Sequence, residues 1–290
     1  KSPQPGGKSP QLENKSPQPE TLTGLNSPQL THNQSTQNLF QFGLSPESDA
    51  RRVADKAWKD GHFYAAILAP DSNWGKRMQS AFRQRWEALG GIVADSAYYS
   101  ADTQDFSDSI KGLLHIEQSQ ERKRLVSQTI GRNVEYTPRR RQDIDMVFMS
   151  AFPKQARQIP LQIIYHHGET LPVYTTSHIV SSYHDSKSNI DLDGVQFTDM
   201  PWLLGMDNNA ISLSSHYQSI LFQRLFTLGV DSYQIAPFIQ YLSENPSESI
   251  LGESGQLSLS TDGFVIRTLP WVTFKDGVIH TEQAHGRPNL

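Results

Sequence analysis

The chain has 290 residues, and its 26 Lys+Arg against 30 Asp+Glu leave a formal charge of −4, too small and of the wrong sign for a nucleic-acid binder. With 36% hydrophobic residues, 5 Trp, 10 Tyr and 13 Phe it can fill one large core or two lobes, and it has no run of about 20 apolar residues such as a membrane-spanning helix needs. The complete lack of cysteine excludes disulfides, thiolate metal sites and cysteine nucleophiles, and is compatible with an oxidising compartment.

Residues 1–21 read as a flexible low-complexity segment. KSPQ recurs at Lys1, Lys8 and Lys15, with SPQ again at Ser27, and the repeated prolines bar a helix while almost nothing apolar is available for a core. From Gln37 the pattern changes: LFQFGL (Leu39 to Leu44) reads as extended, and Ser45 and Pro46 as the cap and first position of a helix. Ala50, Val53, Ala54, Ala57 and Trp58 then share one helical face. A strand is expected at Phe63 to Ala69 and a turn at Pro70 to Asn73. A second amphipathic helix follows, with Trp74, Met78, Phe82 and Trp86 in one stripe that Gly90 and Gly91 end.

The unit repeats, with strands at 92–99, 145–151 and 171–179 and helices at 106–116 and 153–166. Such an alternation folds as an α/β unit with a mostly parallel sheet between helices, because parallel neighbours need a crossover. Between Glu117 and Gln142 the pattern lapses into a polar stretch with seven Lys or Arg and three Glu, expected to be a long surface insertion. A further strand is expected at 195–204. The longest helical pattern follows, with Tyr217, Leu221, Leu225 and Leu228 as its stripe and Gly229 as an interruption before 232–242 continues it. The last segment alternates with period two around Asp262-Gly263 and Asp276-Gly277, the pattern of antiparallel strands, and 281–290 reads as a tail.

Motifs for chemistry are missing. There is no GxGxxG or GxxxxGK[ST] loop to cradle a phosphate, no HExxH or other His spacing for a metal, no GxSxG nucleophile elbow and no paired-carboxylate signature, so neither enzyme nor cofactor is expected. What remains is topological, since open parallel sheets bind ligands beyond the carboxyl ends of their strands. Three loops qualify: Asp71-Ser72-Asn73-Trp74, Ser150-Ala151-Phe152 and Thr175-Thr176-Ser177-His178. The same residues also fit helix caps, and Trp74 fits the core stripe. The run Arg139-Arg140-Arg141 is the candidate for contact with an acidic partner or anionic polymer, the alternative being a solvated loop.

Five phrases carry a more specific likeness: FGLSPESDA (Phe42 to Ala50), WKDG (Trp58 to Gly61), RRRQDIDMVFM (Arg139 to Met149), GVQFTDMPW (Gly194 to Trp202) and RLFTLGVDSY (Arg224 to Tyr233). Their content and order resemble the C-terminal domain of the LpoA family, also called YraM or LppC, over about residues 22–280. The resemblance implies a two-lobed α/β fold of the type I periplasmic-binding-protein (Venus flytrap) kind. Residues 22–60 would be part of the first lobe and a crossing helix, 61–193 the second lobe with the basic insert 117–142, 194–249 a return strand and first-lobe helices, and 250–280 antiparallel strands of the second lobe. Because KSPQ repeats stand where the family has further strands, it also implies an incomplete first lobe.

In function the resemblance implies a non-enzymatic outer-membrane lipoprotein of the periplasm. Such a protein binds and activates a bifunctional class A penicillin-binding protein and so stimulates peptidoglycan synthesis; peptidoglycan is a further candidate contact, and membrane attachment would be only through a lipid anchor absent from this fragment. No cofactor or nucleic acid is implied. By likeness to flytrap receptors, cleft positions fall at Asn26 and Ser27 on the first lobe and at Trp74, Phe152, Ser177 and His178 on the second. Ser177 and His178 replace the acidic residue that would grip a ligand ammonium, and a neutral group cannot neutralise that charge. The alternative function is a periplasmic solute-binding receptor that closes on a small ligand between its lobes; a cell-wall hydrolase is disfavoured.

Overall fold

The structure, a computed structural model, describes residues 39–132, 139–205 and 219–281. The chain divides into two units, Lys1–Leu39 and Phe40–Leu290, and the elements below belong to the second. The KSPQ repeats, Asn26, Ser27, Tyr217 and the tail beyond Thr281 lie outside the described residues.

The unit opens with helix α1 (Pro46–Lys59). The Ser45 side chain accepts from the Ser48 N–H at 3.3 Å, Pro46 occupies the first turn, and Glu47 and Asp49 precede Lys56 and Lys59 in the order that favours the helix dipole. Strand β1 (Tyr64–Pro70) follows, then α2 (Asn73–Ala88) capped by Ser72, β2 (Ile92–Tyr99), α3 (Ser107–Leu113) and α4 (Ile116–Ile130). Next come β3 (Met146–Met149), α5 (Pro153–Ala156), α6 (Ile159–Ile163), β4 (Val173–Tyr174), α7 (Ser186–Asn189) and β5 (Gln196–Thr198). The chain continues through α8 (Ile220–Ile235) and α9 (Ile239–Glu244), and then β6 (Ile250–Gly252), β7 (Gly255–Leu259), β8 (Val265–Thr268), β9 (Trp271–Lys275) and β10 (Val278–Thr281).

Seven strands form one sheet in the order β10-β9-β5-β4-β3-β1-β2. The pairs from β2 across to β5 are parallel, and β9 and β10 extend the β5 edge antiparallel. Both faces are covered, and side-chain alternation divides the strands between two cores. Ala65 and Ile67 of β1 and Met146 and Phe148 of β3 meet α1 and α2, where Phe82 stacks on Phe148 at 4.3 Å. Ala66, Leu68, Val147 and Met149 instead meet Phe106, Ile110, Ala156, Ile159 and Ile163 from the opposite helices.

β6, β7 and β8 form a separate three-stranded antiparallel sheet, so the strands expected together over 250–280 divide between two sheets. Its core is Ile235, Leu242, Leu257 and Leu259, and Gln41 bridges to Phe264 beside it, which is all the regular pairing the extended segment around Gln41 makes among the described residues. The two expected turns are present, with Gly263 at φ 79° and Asp276-Gly277 at φ 53° and 69°.

Several expected boundaries move. The strand read over 171–179 shortens to two residues and passes into a 3₁₀ turn at Ser177–Ile179, and the helix read over 153–166 breaks into α5, α6 and a wide turn that ends at His167 with φ 65°. Pro160, in the first turn of α6, explains the break after α5, since it cannot continue a preceding helix. About half of the stretch read as a patternless insertion, 117–142, is helix α4. Gly229 does not interrupt α8: a Cβ there would meet open space, so the glycine costs propensity without ending the helix. Much of the apolar stripe of α8 is also uncovered, since Leu221 and Leu225 are exposed and Leu228 half-buried, while Thr227, Asp231 and Ile235 are buried.

Candidate functional site

Three crossovers leave the carboxyl ends of β1, β3 and β4, and the parallel topology sets their loops side by side. At the first, Ser72 accepts from the Gly75 N–H at 3.1 Å and starts α2 directly after the strand. Gly75 is obligatory in this turn, because a Cβ would lie 2.1 Å from the Pro70 carbonyl oxygen. Trp74 is thereby held at the rim, and its ring stacks on Phe152 from the β3 loop, centroids 4.4 Å apart and planes 27° from parallel. His178 from the β4 loop meets the Trp74 ring edge-on at 5.3 Å. Three residues separated by up to 104 positions thus form one aromatic cluster, with Phe152 the exposed member.

Beneath the cluster lies a polar layer that sequence reasoning missed. The Thr176 hydroxyl and His178 Nδ1 share a hydrogen bond of 3.0 Å. Arg224 of α8 donates to the Ser177 carbonyl at 2.9 Å and pairs with the buried Asp199, which also accepts from the Tyr183 hydroxyl. Burial pushes the His178 imidazole down to about 4, and the neighbouring Arg224 charge adds to that, so the ring is neutral at pH 7. Burial works against the Arg224 charge as well, but the Asp199 carboxylate and Tyr183 outweigh it and raise the guanidinium above its ordinary value. The Tyr183 hydroxyl is driven well up, first by burial and then by Asp199, and keeps its proton.

The layer continues to α1, where Asp49 is buried 3.8 Å from the Arg267 guanidinium of β8. Burial raises the Asp49 pKa, with Arg267 and then Arg52 opposing it. Asp199 and Arg224 both fall inside phrases that carry the family likeness, GVQFTDMPW and RLFTLGVDSY, and that was the available signal for them. Their charge signs alone do not say that they meet.

Of the cleft candidates, Trp74, Phe152 and His178 come together, Ser177 lies buried below them, and Asn26 and Ser27 are outside the described residues. The hydroxyls of Ser150, Thr175 and Thr198, at the ends of β3, β4 and β5, are buried without a hydrogen-bond partner among the described residues. Among those residues no group of His, Asp and Glu is arranged to hold a metal, and no helix is long and apolar enough to cross a membrane.

The basic run is deployed differently. Arg140 donates to the carbonyls of Arg141 and Ile144 and to the Thr170 hydroxyl, and Arg141 donates to the Ala94 carbonyl and pairs with Asp143, so two of the three guanidiniums hold backbone and neighbours in place. Arg139 is exposed and has a partner of its own.

The parallel sheet between two helical layers, with loops converging at its strand ends, defines a periplasmic-binding-protein-like α/β domain. The solved structures agree. The C-domain of LpoA (YraM) from Haemophilus influenzae, a regulator of PBP1A, superposes with a TM-score of 0.62 at 22% identity, covering 83% of this chain and 68% of that one. The leucine-binding protein LivK from Thermotoga maritima has a TM-score of 0.51 at 14% identity, covering 82% and 65%. Residues 10–277 match the family described as "LppC putative lipoprotein", and the chain belongs to that family. It is similar to the penicillin-binding protein activator LpoA of Photobacterium profundum, 27% identical over 89% of this chain and 42% of that protein, and to that of Edwardsiella ictaluri, 26% identical over 90% and 40%. The chain therefore spans about two fifths of the length of these relatives.

Proposed function

We propose that this chain is a non-enzymatic regulatory domain of the bacterial envelope. It binds a class A penicillin-binding protein in the periplasm, as part of an outer-membrane lipoprotein, and activates it to make peptidoglycan. Membership of the LppC family supports this reading, together with relatives named as penicillin-binding protein activators. The observation that carries it against amino-acid capture is the state of the strand-end loops. His178 is neutral at neutral pH and Asp199, the carboxylate below it, is already paired with Arg224, so among the described residues of these loops no uncommitted anion answers a ligand ammonium.

Surface plasmon resonance of the chain against a purified class A penicillin-binding protein, with a transpeptidase assay alongside, tests the proposal. Saturable binding with a raised transpeptidase rate is expected. A folded chain that neither binds nor stimulates any such enzyme would sink it. The hydroxyls of Ser150, Thr175 and Thr198, without a partner among the described residues, favour a second reading, a receptor for a neutral polar solute. A thermal shift with amino acids or cell-wall fragments would bring that reading forward.

A further inference from the structure

α4 begins directly after His115, and Arg141 stands against the start of that region: its N–H donates to the Leu114 carbonyl at 3.0 Å, which forms a root. His115, turned by a left-handed φ of 54°, contacts Asp95 at 2.7 Å, and beside it Arg141 holds the adjacent Ala94 carbonyl at 3.2 Å and lies 3.4 Å from the His115 ring. Arg140 bonds to Ile144 and Thr170. The helix that this root presents, α4, ends at Gly131 with φ 67°.

Ile116 in the first turn of α4 is buried, whereas Leu125, Val126 and Ile130 farther along are 53%, 45% and 57% exposed. A helix that merely covered its own core would bury such residues. At 100° per residue, Arg122, Leu125, Val126, Thr129 and Ile130 share one side, while Glu117, Glu121, Arg124 and Gln128 share the other. The Glu121–Arg124 pair at 3.6 Å occupies the second side, where Glu117 leaves one carboxylate in excess. The first side carries aliphatic side chains and a cation but no carboxylate, and Arg132 follows just beyond the cap.

We propose that this face of α4 is a docking element for an acidic, apolar-centred groove on a partner protein. The proposal rests on the activator reading above and assigns its contact surface to α4. Charge complementarity selects an acidic occupant, and the apolar pattern disfavours a flat lipid surface: three aliphatic side chains on fewer than two turns suit a groove that takes helix anchors better than insertion into a bilayer. A second copy of this chain, itself net acidic by four charges, is the competing occupant, and self-association of the wild type that the α4 variants lose in sedimentation would overturn the proposal.

The test measures the affinity of the full chain for a purified class A penicillin-binding protein at two salt concentrations. The variants are Arg122→Glu with Arg132→Glu, Leu125→Glu alone, and Arg51→Glu on α1 as a reversal of charge elsewhere; far-ultraviolet circular dichroism checks each for folding. The two α4 variants should each weaken binding roughly tenfold or more, the charge reversal should also flatten the salt dependence, and Arg51→Glu should change little. Wild-type binding that both α4 variants retain would overturn the docking role and leave the activator reading standing. Failure of the wild type to bind would remove both. Loss of wild-type binding to anionic phosphatidylglycerol vesicles in the α4 variants, with enzyme binding unaffected, would overturn the proposal in favour of a lipid surface.

Discussion

α2 and α8 have the same length, 16 residues, and each shows an apolar stripe in sequence, yet they sit in opposite senses. In α2 the stripe is inside: Met78, Phe82 and Trp86 are fully buried against β1 and β3. In α8 much of the stripe is outside, and the buried positions bear Thr227 and Asp231 alongside Ile235, with Arg224 one turn earlier. Helical periodicity says which residues share a face, but the partners decide which face is covered. For α8 those partners are polar. Asp231 accepts from the Glu253 and Ser254 N–H groups at 2.8 and 2.7 Å and from the Ser254 hydroxyl, which secures the turn between β6 and β7, while Arg224 holds Asp199 and the Ser177 loop.

The largest effect expected from this contrast is in α2. Phe82→Ala removes a ring stacked on Phe148 and should cost about 3–5 kcal/mol in urea unfolding. A loss near zero would mean that the α2 core is not packed as described. Asp231→Ala in α8 removes no apolar surface, yet it leaves two N–H groups and a hydroxyl without their acceptor, so about 3 kcal/mol should be lost. A cost within experimental error would show that the polar face of α8 is not its inner face.

A smaller effect is expected from pH. His178 has its folded pKa lowered to about 4 from 6.5, so between these values the unfolded chain binds the proton and the folded chain resists it. Stability should be unaffected by His178 above about pH 6.5 and fall on the order of 2–3 kcal/mol as the pH drops towards 4. Asp49, whose raised pKa works in the opposite direction at acid pH, makes the difference between wild type and His178→Gln the quantity to measure. Parallel pH profiles for the two proteins would rule out a buried neutral imidazole. The smallest effect belongs to the exposed stripe: Leu225→Gln should change stability by no more than about 0.5 kcal/mol, and a much larger loss in the same assay would mean that α8 is covered on that side.

Much of the architecture was legible because local signals agreed with tertiary demands. Ser45-Pro46 and Ser72 start helices as expected, the apolar run at 63–69 yields β1, and the Asp-Gly pairs make the two hairpin turns. The strand-end rule singled out the loops that carry Trp74, Phe152 and His178, whose rings meet in the structure. Less was legible where long-range polar contacts govern. A contiguous basic run suggested one surface, but Arg140 and Arg141 are drawn to carbonyls and carboxylates at the root of the insert, and α4 had no periodic stripe because it buries little beyond Ile116.

The sequence by itself determined the α/β class, the parallel core, the positions of the crossover loops and the family, since those follow from side-chain periodicity, turn chemistry and a few ordered phrases. Only the tertiary structure decided that Arg224 meets Asp199, that Asp231 reaches the β6–β7 turn, and which side of α8 is left uncovered. The physical reason is that burial and charge pairing are properties of two distant segments together, and neither segment records the other in its own pattern.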